Sequence, residues 1–147
     1  MSPKVLPLDK PRRPSEDQLQ AISIAMAVNA EFLKIRRTIK APAVAAFLQV
    51  VANEGMDVGQ LARKMGCTAC TMSKILTDLG ETNRRDKDGL GLVEVRPDLL
   101  HRSRHLSFLT PRGAALSRKI AKITEEGRRG FSWAQDGSVS KETQEGL

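Results

Sequence analysis

The 147-residue sequence is poor in aromatic residues, with four Phe, one Trp and no Tyr. This scarcity disfavours aromatic-rich β-sandwiches and proteins that stack single-stranded nucleic acid on aromatic side chains. No apolar stretch reaches the roughly 18 residues of a membrane span, and the basic, Pro-rich residues 1–14 lack the apolar run of a signal peptide. With only two Cys and no export signal, we expect a cytoplasmic protein without a membrane partner.

The sequence also lacks a recognisable catalytic pattern. It has no Gly-rich phosphate loop, no supported Ser/His/Asp or Cys/His arrangement and no paired-carboxylate motif. Cys67-Thr-Ala-Cys70 has the spacing of a metal-binding pair, but a zinc site needs four ligands and there is no second Cys pair. We therefore expect a protein that is not an enzyme and holds neither a metal nor a cofactor.

Basic residues exceed acidic ones by 24 to 17, which gives a net charge of +7 and a pI near 9.9. Residues 57–113 alone carry ten positive and seven negative groups. This balance suits a partner with a phosphate backbone or another anionic surface, without choosing between them.

The chain divides into a basic arm (1–14), one folded domain (15–127) and a polar tail (128–147). Ser15 and Gln18 form a capping box that begins a helix running to about Ile39. This helix has two apolar stripes, too many for one buried face. The first contains Leu19, Ile22, Met26 and Leu33; the second contains Ile24, Val28, Phe32, Ile35 and Ile39. One stripe is available for a second subunit.

Two short helices follow a Pro42–Gly55 helix whose expected inward residues are Val44, Phe47, Leu48 and Val51. Asp57 and Gln60 begin the first short helix, which Gly66 ends. Thr68 caps the second, whose inward stripe is Met72, Ile75, Leu76 and Leu79. Such a tight, Gly-containing connection predicts a helix-turn-helix.

Beyond a polar stretch (80–91), residues 92–95 and 105–109 have the pattern of two strands joined by the loop 96–104. Thr110 and Pro111 then begin a final helix that ends near Gly127. The order predicts a mainly α protein with a small β-hairpin, a winged helix with a long N-terminal helix and a C-terminal helix.

A helical rotation of about 100° per residue places the outward face of the helix after Thr68 opposite its apolar stripe. That face contains Cys70, Ser73, Lys74, Thr77 and Glu81, with Thr71 at its edge. Small hydroxyl side chains near a helix N-terminus suit close approach to phosphates and base edges, and Lys74 adds charge. A merely solvated helix face is the alternative interpretation.

The chain from about Val44 to Leu116 resembles the MarR family of winged-helix transcriptional regulators. The matching segments are Val58-Gly-Gln-Leu-Ala-Arg-Lys-Met-Gly66, Thr71-Met-Ser-Lys-Ile-Leu-Thr-Asp-Leu79 and Leu109-Thr-Pro-Arg-Gly113. The resemblance implies a homodimer joined by its terminal helices on a pseudo-palindromic double-stranded DNA operator, acting as a repressor, with room for a small-molecule effector. It implies DNA contacts by Thr68, Thr71, Ser73 and Lys74, and by arginines of the wing.

The wing departs from the family pattern of Asp-Arg-Arg, because the aligned residues are His101-Arg102-Ser103. We expect DNA contacts from Arg102 and, to a smaller extent, Arg104. The polar insertion around 82–91 is a second departure, and the short helical part after the wing is a third. Arm residues Lys4, Lys10, Arg12 and Arg13 suit either a DNA groove or a solubilising tail.

Cys70 is predicted in the first turn of the helix that begins after Thr68, where the helix dipole favours a thiolate. We hypothesise that its oxidation weakens DNA binding, whereas Cys67 is expected to fill the core of the turn. Two other partners remain open: another protein docked on the winged helix, or a structured RNA.

Overall fold

The computed structural model describes residues 12–80 and 89–129, so the predictions for 1–11, 81–88 and 130–147 lie outside it. Within this part there are five helices and two strands, and the predicted mainly α architecture with one β-hairpin is confirmed. In chain order they are α1 Glu16–Ile35, α2 Ala41–Ala52, α3 Val58–Met65, α4 Ala69–Leu79, β1 Val93–Pro97, β2 His105–Leu109 and α5 Pro111–Arg129.

Helix α1 begins with the predicted capping box. The Gln18 backbone N–H donates to Ser15 Oγ at 3.2 Å, and the Ser15 N–H donates to Gln18 Oε1 at 2.8 Å. The helix ends at Ile35, not near Ile39 as predicted, because Arg36 adopts an extended conformation and the Ile39 N–H closes a turn onto the Arg36 carbonyl at 3.1 Å. That turn still packs Ile39 against the core.

The two apolar stripes of α1 have different surroundings. Phe32 is buried, and Val28, Ile35 and Ile39 are half-buried and pack against the core. The other stripe, Leu19, Ile22, Met26 and Leu33, is exposed to solvent, with Met26 reaching 60% exposure. The monomer therefore buries one of the two surfaces that the sequence provides.

Helix α2 passes through the centre of the core. Phe47 meets Phe32 edge to face at 5.7 Å between ring centroids, and Ala43, Ala46 and Val50 are buried beside it. The prediction that Leu48 faces inward is wrong, since it is 39% exposed. The hydrophobic spacing overlooked the two alanines, whose small side chains let this helix face pack closely.

Helices α3 and α4 form the predicted helix-turn-helix. The Asp57 N–H donates to Gln60 Oε1 at 3.4 Å where α3 begins. Gly66 ends α3 in the left-handed conformation at φ +68°, and the Cys67 N–H donates back to the Ala62 carbonyl at 3.0 Å. Met72, Leu76 and Leu79 then hold α4 against the core, as predicted.

The wing is an antiparallel hairpin whose register runs from Val93–Leu109 to Pro97–His105. Its first strand reaches Pro97, two residues beyond the predicted end at Val95, so the loop shortens to 98–104. Pro97 is tolerated because it lies at the end of a strand in a two-stranded sheet, where its missing N–H donor costs little.

The start of α5 locks the wing to the end of α4. Thr110 Oγ1 accepts the Gly113 N–H at 3.0 Å and donates to the Gly91 carbonyl at 2.6 Å. A Cβ on Gly113 would lie 2.0 Å from the Leu92 carbonyl oxygen, so only glycine permits this approach. The segment Thr110-Pro-Arg-Gly113 therefore packs closely against Leu92 and also begins α5.

Helix α5 runs antiparallel to α1 and reaches Arg129, two residues beyond the predicted end near Gly127. Gln20 Nε2 donates to the carbonyls of Gly127 and Arg128 near one end of the pair. Near the other end, Lys119 Nζ lies 3.2 Å from Glu31 Oε1. The two terminal helices, α1 and α5, thus pack against each other beside the winged helix.

Candidate nucleic-acid interface

The outward face of α4 is open to solvent as predicted. Thr68, Thr71, Ser73 and Lys74 are exposed, and Thr77 is half-buried. No other part of the described structure covers Ser73 or Lys74. A duplex can therefore reach this face.

Some of these polar groups are already engaged within the helix. Thr68 Oγ1 accepts the Thr71 N–H at 3.1 Å and lies 3.0 Å from Thr71 Oγ1, and Thr77 Oγ1 donates to the Ser73 carbonyl at 2.8 Å. Thr68 is thus the N-cap of α4 as well as a candidate contact. Within residues 12–80 and 89–129, Lys74 has no ion pair.

A groove of about 820 Å³ separates α4 from the wing. Ser73 and Thr77 lie on its α4 side, and Ser103 and Arg104 lie on its wing side. The fold thereby brings α4 residues and wing residues of the predicted interface to opposite walls of one concave surface.

The two predicted wing arginines differ in their surroundings. Arg104 lies between two carboxylates, with Nε 3.9 Å from Asp57 Oδ1 and Nη1 4.0 Å from Asp98 Oδ2. Arg102 is exposed in the loop and has no such partner in the described part of the chain. Their DNA contacts remain predictions, and the geometry favours Arg102 as the more available cation.

The wing has further features that were not predicted from the sequence. Arg96 lies 4.3 Å above the centre of the Phe108 ring and pairs with Glu94. Leu99 and Leu100 project from the wing loop, 91% and 86% exposed. The available signal was a pair of large apolar residues directly after the turn-forming Asp98.

The two cysteines have the environments that were expected from the sequence. Cys67 is half-buried and packs against the core, as its position in the turn predicted. Cys70 is exposed in the first turn of α4. The oxidation hypothesis for Cys70 remains a prediction.

A second cleft of about 560 Å³ lies between α1, α5 and Leu92. Its cationic lining residues are Lys34, Arg112, Arg118, Lys119 and Lys122. Glu31 is the acidic residue there, and its hydrogen bonds to Lys34 and Lys119 lower the pKa of its carboxyl below the ordinary value. Cations therefore predominate in this cleft.

No family model and no curated protein matches the sequence, but solved structures match the fold. The DNA complex of MepR from S. aureus has a TM-score of 0.56 at 18% identity, covering 88% of this chain and 98% of that one. A mutant of E. coli MarR with operator DNA has a TM-score of 0.52 at 13% identity, over 82% and 72% of the two chains. The chain has the fold of MarR-type regulators.

A MarR-like regulator from Thermotoga maritima supports the same MarR-type fold, with a TM-score of 0.53 at 17% identity over 90% of this chain and 94% of that one. The comparison confirms the resemblance inferred from the sequence at the level of the fold. The Thermotoga maritima neighbour is a transcriptional regulator, and the other two neighbours are bound to DNA. In the described part of the chain, no helix has the length and apolar character of a membrane span.

Proposed function

We propose that this protein is a sequence-specific regulator of transcription that binds double-stranded DNA through α4 and the wing. The observation that carries the proposal is the exposed α4 face beside the wing, with a groove between them. The MarR-type fold, which the DNA-bound neighbours share, supports the same function.

The side chains of α4 suit two different kinds of contact. Lys74 is an exposed cation, which suits phosphate oxygens and gives affinity independent of sequence. Thr71 and Ser73 carry small hydroxyl groups that can approach base edges in the major groove. Affinity and discrimination are therefore expected to come from different residues.

Substitutions on α4 test this division. A Lys74→Ala variant should bind an operator duplex about fivefold to tenfold more weakly, with a shallower salt dependence. Thr71→Ala or Ser73→Ala should reduce discrimination between operator and scrambled duplexes more than it changes the salt slope. Lys40→Ala, at the exposed start of α2, is the matched control and should leave operator binding unchanged. Unchanged operator binding in all three α4 variants would falsify the assignment.

A protein-docking winged helix is the competing function, since residues 57–113 are only modestly basic. Structured RNA is a third ligand. Titrations against random duplex DNA at two salt concentrations separate a nucleic-acid partner, which gives a steep dependence, from a protein partner. A matched RNA hairpin in the same assay separates the two nucleic acids.

The protein is further proposed to act as a homodimer that represses from a pseudo-palindromic operator. The exposed α1 stripe supports this, because Ile22 and Met26 are 54% and 60% exposed on a helix that already buries its other stripe. A second copy would cover it. Ile22→Asp should shift the sedimenting species from dimer to monomer, whereas Ala21→Asp, at an exposed position of α1 outside the stripe, should not.

The cationic cleft is proposed as the effector site. Ile35, Leu92 and Leu116 line it together with the cations, so it suits a small anion with an apolar body. Benzoate is a suitable first probe and should raise the Tm of the protein. Arg112→Ala should reduce that shift, whereas Arg63→Ala, outside the cleft, should leave it unchanged.

A further inference from the structure

The wing ends in two adjacent leucines that no other described residue covers. Leu99 and Leu100 are 91% and 86% exposed, far more than any other exposed large apolar side chain of the described chain. Leaving an apolar side chain of this size in water forgoes the favourable free energy of burying it. Two such side chains next to each other indicate a surface that binds a partner.

The loop that presents the leucines is held by hydrogen bonds. The Asp98 N–H donates to the Arg104 carbonyl at 2.9 Å, and the Arg104 N–H donates to the His101 carbonyl at 2.8 Å. The Leu100 N–H donates to Asp98 Oδ1 at 3.0 Å, an Asx turn. These hydrogen bonds therefore fix the conformation of the wing loop, residues 98–104, and the leucines lie at its tip.

The wing is also fixed relative to the helix-turn-helix. The Gly55 N–H donates to the Ser107 carbonyl at 2.7 Å, and the Ser107 N–H donates to the Met56 carbonyl at 3.0 Å. The Leu109 N–H donates to Glu54 Oε2 at 2.9 Å. The wing therefore keeps a fixed position across the groove from α4.

The size and surroundings of the tip favour DNA over protein. A specific protein interface buries about 1,000 Å² or more, much more than two leucines offer. The exposed Arg102 follows them in the same loop, and its charge suits the phosphates that border a groove. Apolar side chains are known to act as wedges between base pairs in the minor groove.

We propose that Leu99 and Leu100 form an apolar wedge that enters the minor groove beside the α4 site and partly unstacks one base step. This inference rests on the proposed DNA-binding function. It predicts specificity at a position that α4 does not contact. Pyrimidine–purine steps such as TA and CA should be preferred there, because they unstack and kink most easily.

The probe for the test is a 30-bp duplex enriched by the wild-type protein from a pool with a randomised central region. A Leu99→Ala/Leu100→Ala variant should bind it about tenfold more weakly with an unchanged salt slope, since no phosphate contact is lost. A Leu99→Met/Leu100→Met variant keeps the apolar bulk and should retain most of the affinity. Both leucines are exposed, so the thermal unfolding curves should coincide.

Base unstacking gives a readout that a structural role would not change. A 2-aminopurine placed at the flanking step should brighten on binding of wild-type protein and of the methionine variant, but not of the alanine variant. End-to-end energy transfer across the duplex should show a smaller bend with the alanine variant.

Three outcomes overturn the wedge. Equal affinity and equal 2-aminopurine fluorescence for wild type and the alanine variant would show that the tip does not enter the stack. Loss of self-association in that variant would assign the tip to a subunit contact. If no duplex is enriched at all, the DNA-binding proposal itself fails and the wedge with it; enrichment with an inert tip refutes the wedge alone.

Discussion

Helix α4 and the wing face each other across one groove, yet their polar groups are organised differently. On α4, Ser73 and Lys74 extend outward from a helix whose orientation Met72, Leu76 and Leu79 determine. On the wing, Arg96 and Arg104 are held by carboxylates and, for Arg96, by an aromatic ring. The arrangement of the α4 surface is determined by the period of a single helix. The arrangement of the wing surface is determined by pairings between distant segments.

The difference indicates how the two regions divide the work. Most of the wing's positive charge is balanced locally, which leaves Arg102 and the two leucines as its available groups. The hydroxyl groups of α4 suit discrimination between base edges, whereas the wing suits anchoring and shape recognition.

The largest effect, on the free energy of unfolding, is expected where the two regions are joined. Gly113→Ala places a Cβ against the Leu92 backbone, which cannot move away as a flexible side chain could. We expect a loss of about 3 kcal/mol in the free energy of unfolding, measured by urea denaturation. Gly59→Ala, in α3, is the control, because its nearest neighbour is the Asp57 side chain at 3.2 Å. Equal stability of the two variants would contradict the close approach.

Two threonine N-caps allow the regions to be compared directly. Each hydroxyl makes two hydrogen bonds, but Thr110 is buried whereas the α4 cap Thr68 is exposed. Thr110→Ala should cost about 2 kcal/mol because it also leaves the Gly91 carbonyl unsatisfied, and Thr68→Ala about 1 kcal/mol. Urea denaturation of both variants checks the order, and a reversed order would show that the wing junction is not the tighter one.

The wing arginines sharpen the comparison further. Arg102→Ala should weaken operator binding about fivefold, whereas Arg104→Ala should change it less, because Arg104 must first leave Asp57 and Asp98. Fluorescence anisotropy on one duplex measures both. A larger loss for Arg104 would mean that DNA binding displaces the carboxylates.

The smallest effect is expected from Cys70. Peroxide converts the Cys70 thiol to a bulkier sulfenic acid and, in excess, to a sulfinate that adds a negative charge to the first turn of α4. Either product should weaken DNA binding, by about threefold, and a thiol reductant should restore binding only from the sulfenic acid. Cys70→Ser protein should bind equally well with and without peroxide. A wild-type protein that is also unaffected would refute the hypothesis.

The sequence was most informative where one helix determines the outcome. The caps at Ser15 and Thr68 and the stripe from Met72 to Leu79 were predicted correctly, because capping and helical periodicity are local. The inward face of α2 was misplaced at Leu48, since the spacing of large residues misses a face made of alanines.

The wing shows why the remainder could not be predicted. Its strands were expected close to their observed positions, but Arg104 pairs, besides the nearby Asp98, with Asp57, 47 positions away in sequence. Nothing local to the hairpin indicates that contact. The exposure of Leu99 and Leu100 likewise depends on which segments fold over the loop, which residue spacing does not encode.

Backbone hydrogen bonds join the end of α4 to the residues just before the hairpin. The Leu90, Gly91 and Leu92 N–H groups donate to the carbonyls of Asp78, Gly80 and Leu79 at 3.0, 2.8 and 2.8 Å. Both ends of the intervening chain are therefore fixed independently of its length. The entropy of closing a connection grows by only about 0.6 kcal/mol for each doubling of its length, so a tag or reporter inserted between Gly80 and Leu90 should leave these hydrogen bonds and the fold intact.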